Sequence, residues 1–210
     1  IKLPITYNNN TFLSFNGEIY NYLDLKSKFK VQDKNFKYKT DTEILYHLLN
    51  QKNQDLSVLN GVWAFAYYDY QKHILTLGRD QLGERNLYYY RNGHELIFAS
   101  EIRPIFAATN INYTIDNDGI QDMWKFYACR DNKTIIKNCF KIKPGYSKIF
   151  KLKADRKGNE ISLPLLKIKK YLDFCKKSTE KKIFKKFNEL FRKELILRFP
   201  SKVKLTSLLS

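Results

Sequence analysis

The chain has 210 residues, is 43% hydrophobic and 15% aromatic, and carries a formal net charge of +17. That composition can bury a real core, in one large domain or in one domain plus part of another. It contains no apolar run of about 18 residues, so no transmembrane helix is expected, and IKLPITYNNN at the start lacks the charged-then-apolar pattern of a signal peptide.

In chain order, Phe12 to Phe15 reads as a strand that stops at Asn16-Gly17, with the acid Glu18 next. Tyr22 to Phe29 reads as a short helix. In TDTEILYHLLNQK, Thr40 is an N-cap and Glu43, three residues on, completes a capping box, after which Ile44, Leu45, Leu48 and Leu49 share one face. Val62 to Asp69 is β-rich and apolar on both faces, the pattern of a central strand. His73 to Gly78 pairs with it through a turn at Tyr70-Gln71-Lys72. Leu87 to Arg91 and Glu95 to Ala99 flank Asn92-Gly93, a strong hairpin signal. Ser100 caps a helix through Ala107, with Pro104 in or just past its first turn, where a missing N–H costs little. Asp116 to Phe126 reads as helical, and KPGYSKIFKLKADRKGNEIS as a hairpin with a polar tip. From Ser178 the pattern changes: Ile183, Phe187, Leu190 and Phe191 recur at helical spacing and are expected to face a core, with Lys181, Lys182, Lys185 and Lys186 largely on the other side. A domain boundary between about Leu166 and Ser178 follows. The fold class is α+β, hairpin-rich antiparallel sheets with helices outside.

The positive charge is uneven. From Lys141 to Ser210 there are 21 Lys/Arg against 6 Asp/Glu, nearly the whole excess. A basic tail can meet nucleic acid, a membrane surface or an acidic partner. Lysine outnumbers arginine 30 to 8, although arginine is the richer choice for phosphate forks. Solvated lysine faces are therefore the plainer reading, and neither nucleic acid nor a membrane is the expected partner. Cys129, Cys139 and Cys175 are odd in number with no CxxC spacing, which suits reduced thiols in a cytoplasmic protein. His47, His73 and His94 are scattered without metal-ligand spacing, so no metal site is expected.

Asn16-Gly17 places two donors close together, the Asn16 side-chain amide and the Gly17 backbone N–H, which no side chain blocks. Such a pair suits an oxyanion hole. Glu18 beside it, and Asp41 in the first turn of a capped helix, could both grip an ammonium group. The alternative is a plain turn, a solvated Glu18 and an Asp41 that favours the helix dipole, and spacing alone favours that alternative.

FNGEIYNY, TDTEILYHLL, LNGVWAFAYYD, LGRDQLGERNLYYY and IFASEI, in that order, resemble the glutaminase domain of glutamine-hydrolysing asparagine synthetases, collinearly from about Leu3 to Phe199. The resemblance implies a four-layer αββα sandwich of N-terminal nucleophile hydrolase type, truncated, over residues 1–170. Residues 171–210 would be a linker helix and the start of an α/β synthetase domain, since LLS at the end is similar to the start of the family's SGGxDS ATP-binding loop. It also implies that an N-terminal cysteine attacks the glutamine side chain, its free α-amine acting as base. Asn16 and Gly17 would stabilise the oxyanion, and Glu18 and Asp41 would hold the substrate's α-ammonium. Ammonia would then pass to a synthetase domain in cis that amidates aspartate with ATP and Mg²⁺; no cofactor is expected in this segment, and a homodimer is possible. The sequence begins at Ile1 and has no leading cysteine, so a fragment, inactive as it stands, is expected; the three internal cysteines read as structural. Arg79, Asp80 and Gly83 match the family as an interface or structural motif, whereas Glu84-Arg85-Asn86 replaces a more usual apolar–basic–proline run. Two alternatives stay open: an amidotransferase for another acceptor such as a sugar acid, and a non-catalytic glutaminase-like scaffold.

Overall fold

The computed structural model describes residues 4–6, 10–31, 40–51, 55–92, 95–108, 112–152, 160–164 and 177–199. The chain divides into two units, Ile1–Leu166 and Lys167–Ser210.

The first strand runs past the point where its sequence reads as a turn. β1 spans Thr11–Ile19 and pairs antiparallel with β2, Gly61–Asp69, so that Gly17 lies opposite Trp63. The cause is a close approach of two backbones. Gly17 sits at φ +145°, and a Cβ there would lie 2.0 Å from the Val62 carbonyl oxygen. Gly61 is its counterpart: a Cβ on it would lie 2.1 Å from the Glu18 carbonyl oxygen. An amide, a glycine and a carboxylate are thus held inside a ladder, and the glycine marks close backbone contact.

β3 (Ile74–Arg79), β7 (Tyr146–Lys151) and β8 (Glu160–Pro164) extend the first sheet in the order β1-β2-β3-β7-β8, every neighbour antiparallel. The second sheet, β5-β4-β6, is built from β4 (Tyr88–Asn92), β5 (Glu95–Ala99) and β6 (Cys139–Lys141). The helices of this unit are α1 (Tyr22–Lys28), α2 (Asp41–Leu49), α3 (Ile102–Ala107) and α4 (Asn117–Phe126).

Alternation along β2 separates two cores. Trp63, Phe65 and Tyr67 join Leu13, Phe15 and Ile19 of β1 against Leu25 of α1 and the apolar side chains of α2. Ala64 and Ala66 point the other way and meet Leu75, Leu77 and Phe150 of their own sheet and Tyr89 of β4. A third core places Tyr90 of β4 and Cys139 of β6 against Ile105 of α3. Helix on sheet, sheet on sheet and sheet on helix give the four layers α, β, β, α, and β2 is the central strand that its two apolar faces require. Beside the first core, Tyr67 donates from its hydroxyl to Asn50 Oδ1 at 3.0 Å, and burial, seconded by Tyr46, pushes its phenol up to about 12.

Two local readings change. Thr40 occupies the N-cap of α2 but makes no capping bond, and its Oγ1 is buried without a partner; Asp41 instead accepts the Thr42 N–H on Oδ1 at 2.7 Å, and Glu43 is fully buried. Glu101 is the N-cap residue of α3, one position after the expected Ser100, again without a side-chain bond. Asn92 ends β4 opposite Glu95; Gly93 and the tip of the β7–β8 hairpin lie outside the described residues.

In the second unit, α5 spans Glu180–Arg198. None of its residues is buried: Phe184 is 66% exposed, and Phe187 and Phe191 stack on each other at 5.8 Å on the surface. Of the expected core-facing stripe, Phe187 and Phe191 are exposed, while Ile183 and Leu190 are half-buried. No described helix is long and apolar enough to cross a membrane.

The chain passes between the sheets twice, after β3 and before β7, and both passages meet at Arg79-Asp80. The buried Arg79 guanidinium donates from Nε to the Arg85 carbonyl (2.7 Å), from Nη1 to the Ile142 carbonyl (2.9 Å), and from Nη2 to the Gly83 carbonyl (2.6 Å) and Asn86 Oδ1 (2.7 Å). Burial lowers its pKa from the ordinary arginine value. Asp80 Oδ1 accepts the N–H groups of Leu82 and Glu84 at 3.0 Å, and Oδ2 those of Arg85 (3.0 Å) and Trp63 (3.3 Å). Its carbonyl takes the Gly145 N–H at 2.7 Å. At φ +70°, Gly83 turns the loop where a Cβ would lie 2.7 Å from Pro144. Asp80→Asn turns amide hydrogens toward backbone donors. It should cost about 2–3 kcal/mol and lower the melting temperature by roughly 5–10 °C, read by calorimetry. Glu84→Gln, on an exposed side chain, should not; equal shifts would mean that Asp80 has no special place.

Candidate active site

Hydrogen-bond parity determines which backbone groups of β1 face outward. Leu13 exchanges both its bonds with Ile5, at 2.8 and 2.9 Å, away from β2, and Ile19 gives its N–H to Asp41 Oδ2 at 3.0 Å. Tyr20 instead donates to the Asn60 carbonyl at 2.8 Å, at the β2 end. Trp63, opposite Gly17, spends its N–H and C=O on Asp80, on the β3 side. Bonded and non-bonded pairs alternate in an antiparallel ladder. Gly17 therefore turns its N–H to the outer edge of β1, which is the end strand of its sheet among the described residues.

Side chains alternate as well. Odd positions enter the helix-side core, while Ser14, Asn16 and Glu18 are exposed on the other face. Asn16 Nδ2 donates to Ser100 Oγ, just past β5, at 3.4 Å. The two stand on opposite walls of an open cleft of about 160 Å³ between the sheets, with Ala64, Ala66 and Phe98 in its lining. Asp41, half-buried in the first turn of α2, is held by the Thr42 and Ile19 N–H groups, one on each oxygen. The helix N-terminus favours its charge; Oδ1 also accepts the Thr42 hydroxyl at 3.4 Å, and Oδ2 has capacity for a further bond. Asn16, Gly17 and Glu18 thus follow one another on the end strand, the Asn16 amide and Glu18 carboxylate on its inter-sheet face and the Gly17 N–H at its outer edge, where Asp41 binds Ile19. Chemically, such an edge can meet a developing oxyanion and an ammonium on one ligand.

Arg79, Asp80 and Gly83 are not part of this edge. They build the inter-sheet junction, and Asp80 reaches the edge only through Trp63. Cys129 and Cys139 lie elsewhere. Cys129 donates to the Gly119 carbonyl at 3.4 Å, Cys139 is buried in the third core, and burial pushes both thiols up from their ordinary value. Cys175 and His94 lie outside the described residues, and no cluster of metal-ligating side chains occurs among the described ones.

Two polar side chains at the site escaped the sequence reading. Ser100 reads as a helix cap, and nothing local ties it to Asn16. Asn21 receives the Asn60 N–H on Oδ1 at 2.9 Å and donates from Nδ2 to the Val58 carbonyl at 3.0 Å, pinning the loop that leads into Gly61. The only sign of it was a polar residue set among aromatics in EIYNY.

Residues 2–162 match the model of the glutamine amidotransferase domain. The chain belongs to the glutamine amidotransferase domain family. As a glutamine amidotransferase domain it is 32% identical over 151 residues to asparagine synthetase (glutamine-hydrolyzing) 3 of Bacillus subtilis, covering 70% of this chain and 25% of that protein. It is 36% identical over 137 residues to asparagine synthetase B (glutamine-hydrolyzing) of Escherichia coli, covering 58% and 24%. The chain thus spans about a quarter of the length of these curated relatives. Its fold is that of the glutamine phosphoribosylpyrophosphate amidotransferase of Bacillus subtilis, with a TM-score of 0.52 at 20% identity, covering 78% of this chain and 32% of that one.

Thiols raised by burial are protonated at neutral pH and poor nucleophiles. A glutamine-analogue electrophile should therefore leave Cys129 and Cys139 unmodified in the native protein, as mapped by peptide mass spectrometry. Stoichiometric labelling of either would overturn their structural role.

Proposed function

We propose that this chain supplies the glutamine-hydrolysing site of an asparagine synthetase. One observation carries the reading: the outward Gly17 N–H stands at the strand edge that Asp41 binds, with Asn16 next to it on the same strand, within a chain of the amidotransferase domain family. The names of the relatives supply the acceptor chemistry.

In this mechanism glutamine lies along the outer edge of β1. Glu18 and Asp41 hold its α-ammonium and fix its orientation. A cysteine thiolate, in the N-terminal position that the family resemblance implies and outside this sequence, attacks the side-chain amide carbon. Charge develops on the carbonyl oxygen, where the Gly17 N–H and Asn16 Nδ2 stabilise it. The C–N bond then breaks, nitrogen leaves as ammonia with a proton from the amine base, and water hydrolyses the thioester to glutamate. The ammonia serves amidation of aspartate in a synthetase domain in cis, where ATP and Mg²⁺ would bind. Asp41 has a second task here. By accepting the Ile19 N–H it fixes the strand two residues beyond Gly17, so it positions the oxyanion donor as well as the substrate.

The test uses the complete protein. Asn16→Ala should lower kcat for glutamine about 10²–10³-fold, the usual worth of one oxyanion donor, and leave synthesis from free ammonia near normal. Asp41→Asn removes charge but keeps an acceptor for Ile19, so KM for glutamine should rise more than kcat falls; Asp41→Ala should lower both. Steady-state kinetics with glutamine and with ammonia separates these. Equal loss with both nitrogen sources would mean disrupted folding, and no effect of Asn16→Ala would end the reading.

A further inference from the structure

A second cavity, also of about 160 Å³, lies away from the β1 edge, between Tyr89 of β4 and the arm of residues 141–148 that returns from the second sheet to the first. Three lysines line it from three backbone settings: Lys141 ends β6, Lys143 lies in the link, and Lys148 is in β7. Lys148 enters from the inter-sheet face. Its ammonium is 4.7 Å from the Tyr89 ring centroid and 5.5 Å from that of Phe150, and it donates to the Tyr89 hydroxyl. Lys141 donates to the Cys129 carbonyl at 2.6 Å, a bond that leaves its charge whole. Lys143 pairs with Asp131 at 3.1 Å, with both side chains largely exposed, so little opposes its turning inward.

We propose that this cavity binds a small, multiply charged oxyanion of the phosphate class. Ammonium groups are donors only, three to each nitrogen, and Tyr146 and Asn132 also line the cavity. Compact point charges arranged around a small volume suit the tetrahedral oxygens of a phosphate, for which lysine is an established partner. A volume of about 160 Å³ suits a small anion better than a polynucleotide strand. Aromatic rings flank the Lys148 ammonium, which distinguishes it from the solvated lysines of α5. The phosphate group is either free or the end of a nucleotide.

The full chain, titrated with inorganic phosphate at low salt by calorimetry, should show saturable one-site binding. Lys141→Gln combined with Lys143→Gln should weaken it about tenfold or more, the scale of a lost charge-assisted contact. Lys148→Met, which keeps the stem, should do the same, whereas Lys181→Gln with Lys185→Gln on α5 should leave binding unchanged. Tighter binding of ADP than of phosphate, lost in the same variants, would identify a nucleotide as the source; equal affinity would identify the free anion. Circular dichroism checks each fold, and the half-buried Lys141 with the exposed Lys143 decides if the Lys148 variant unfolds. Absence of saturable binding, or equal weakening by the α5 pair, overturns the proposal.

Discussion

The architecture depends on the buried junction at Arg79-Asp80. A two-sheet sandwich must carry its chain from one layer to the other, and each passage exposes backbone groups that no ladder satisfies. Here both passages are satisfied at one point. The guanidinium fork collects carbonyls from the outgoing loop and from the returning one, and the adjacent carboxylate collects N–H groups from the outgoing loop and from β2. A charged pair inside a protein is costly unless every donor and acceptor is used, and this one is used on nearly all sides. That accounts for the tolerance of Glu84, Arg85 and Asn86 where the family resemblance suggests other residues. The loop's shape is set by its backbone contacts to Arg79 and Asp80, and Asn86 adds a side-chain acceptor.

The candidate site depends on that junction at one remove. Asp80 takes both backbone groups of Trp63 toward β3. Parity then leaves Gly17 facing outward, beside the helix terminus that carries Asp41. No single element makes the site: an end strand supplies the donors, a helix start supplies an anion, and the second sheet supplies Ser100 against the Asn16 amide.

Much of this was legible in the sequence, for identifiable reasons. The two apolar faces of Val62 to Asp69 required layers on both sides, and the structure has them. The α+β class and the hairpin pairings followed from period-two runs and turn residues. Asn16-Gly17-Glu18 misled because a glycine held at positive φ by a neighbouring backbone has the same composition as a turn, and only the partner strand distinguishes them. Thr40 and Glu43 have capping-box spacing, yet burial of Glu43 and the competing carboxylate of Asp41 take the bonds elsewhere. The contact of Asn16 with Ser100 joins residues 84 positions apart, and no local pattern encodes such a pair. The gathering of Lys141, Lys143 and Lys148 around Tyr89 was hidden for the same reason, inside a basic segment that read as uniformly solvated.

The approach of β1 and β2 also changes what the Asn-Gly pair can mean across descendants of this sequence. A side chain at Gly17 would strike the backbone of Val62 and Trp63, and one at Gly61 that of Glu18 and Ile19. Main-chain atoms cannot be mutated away, so neither glycine can change first and be rescued later. A lineage that lost catalysis would keep Gly17 as long as it kept the fold. Asn16, exposed and without such a neighbour, would be free to drift. The glycine therefore records the architecture, and only the asparagine beside it can record the chemistry.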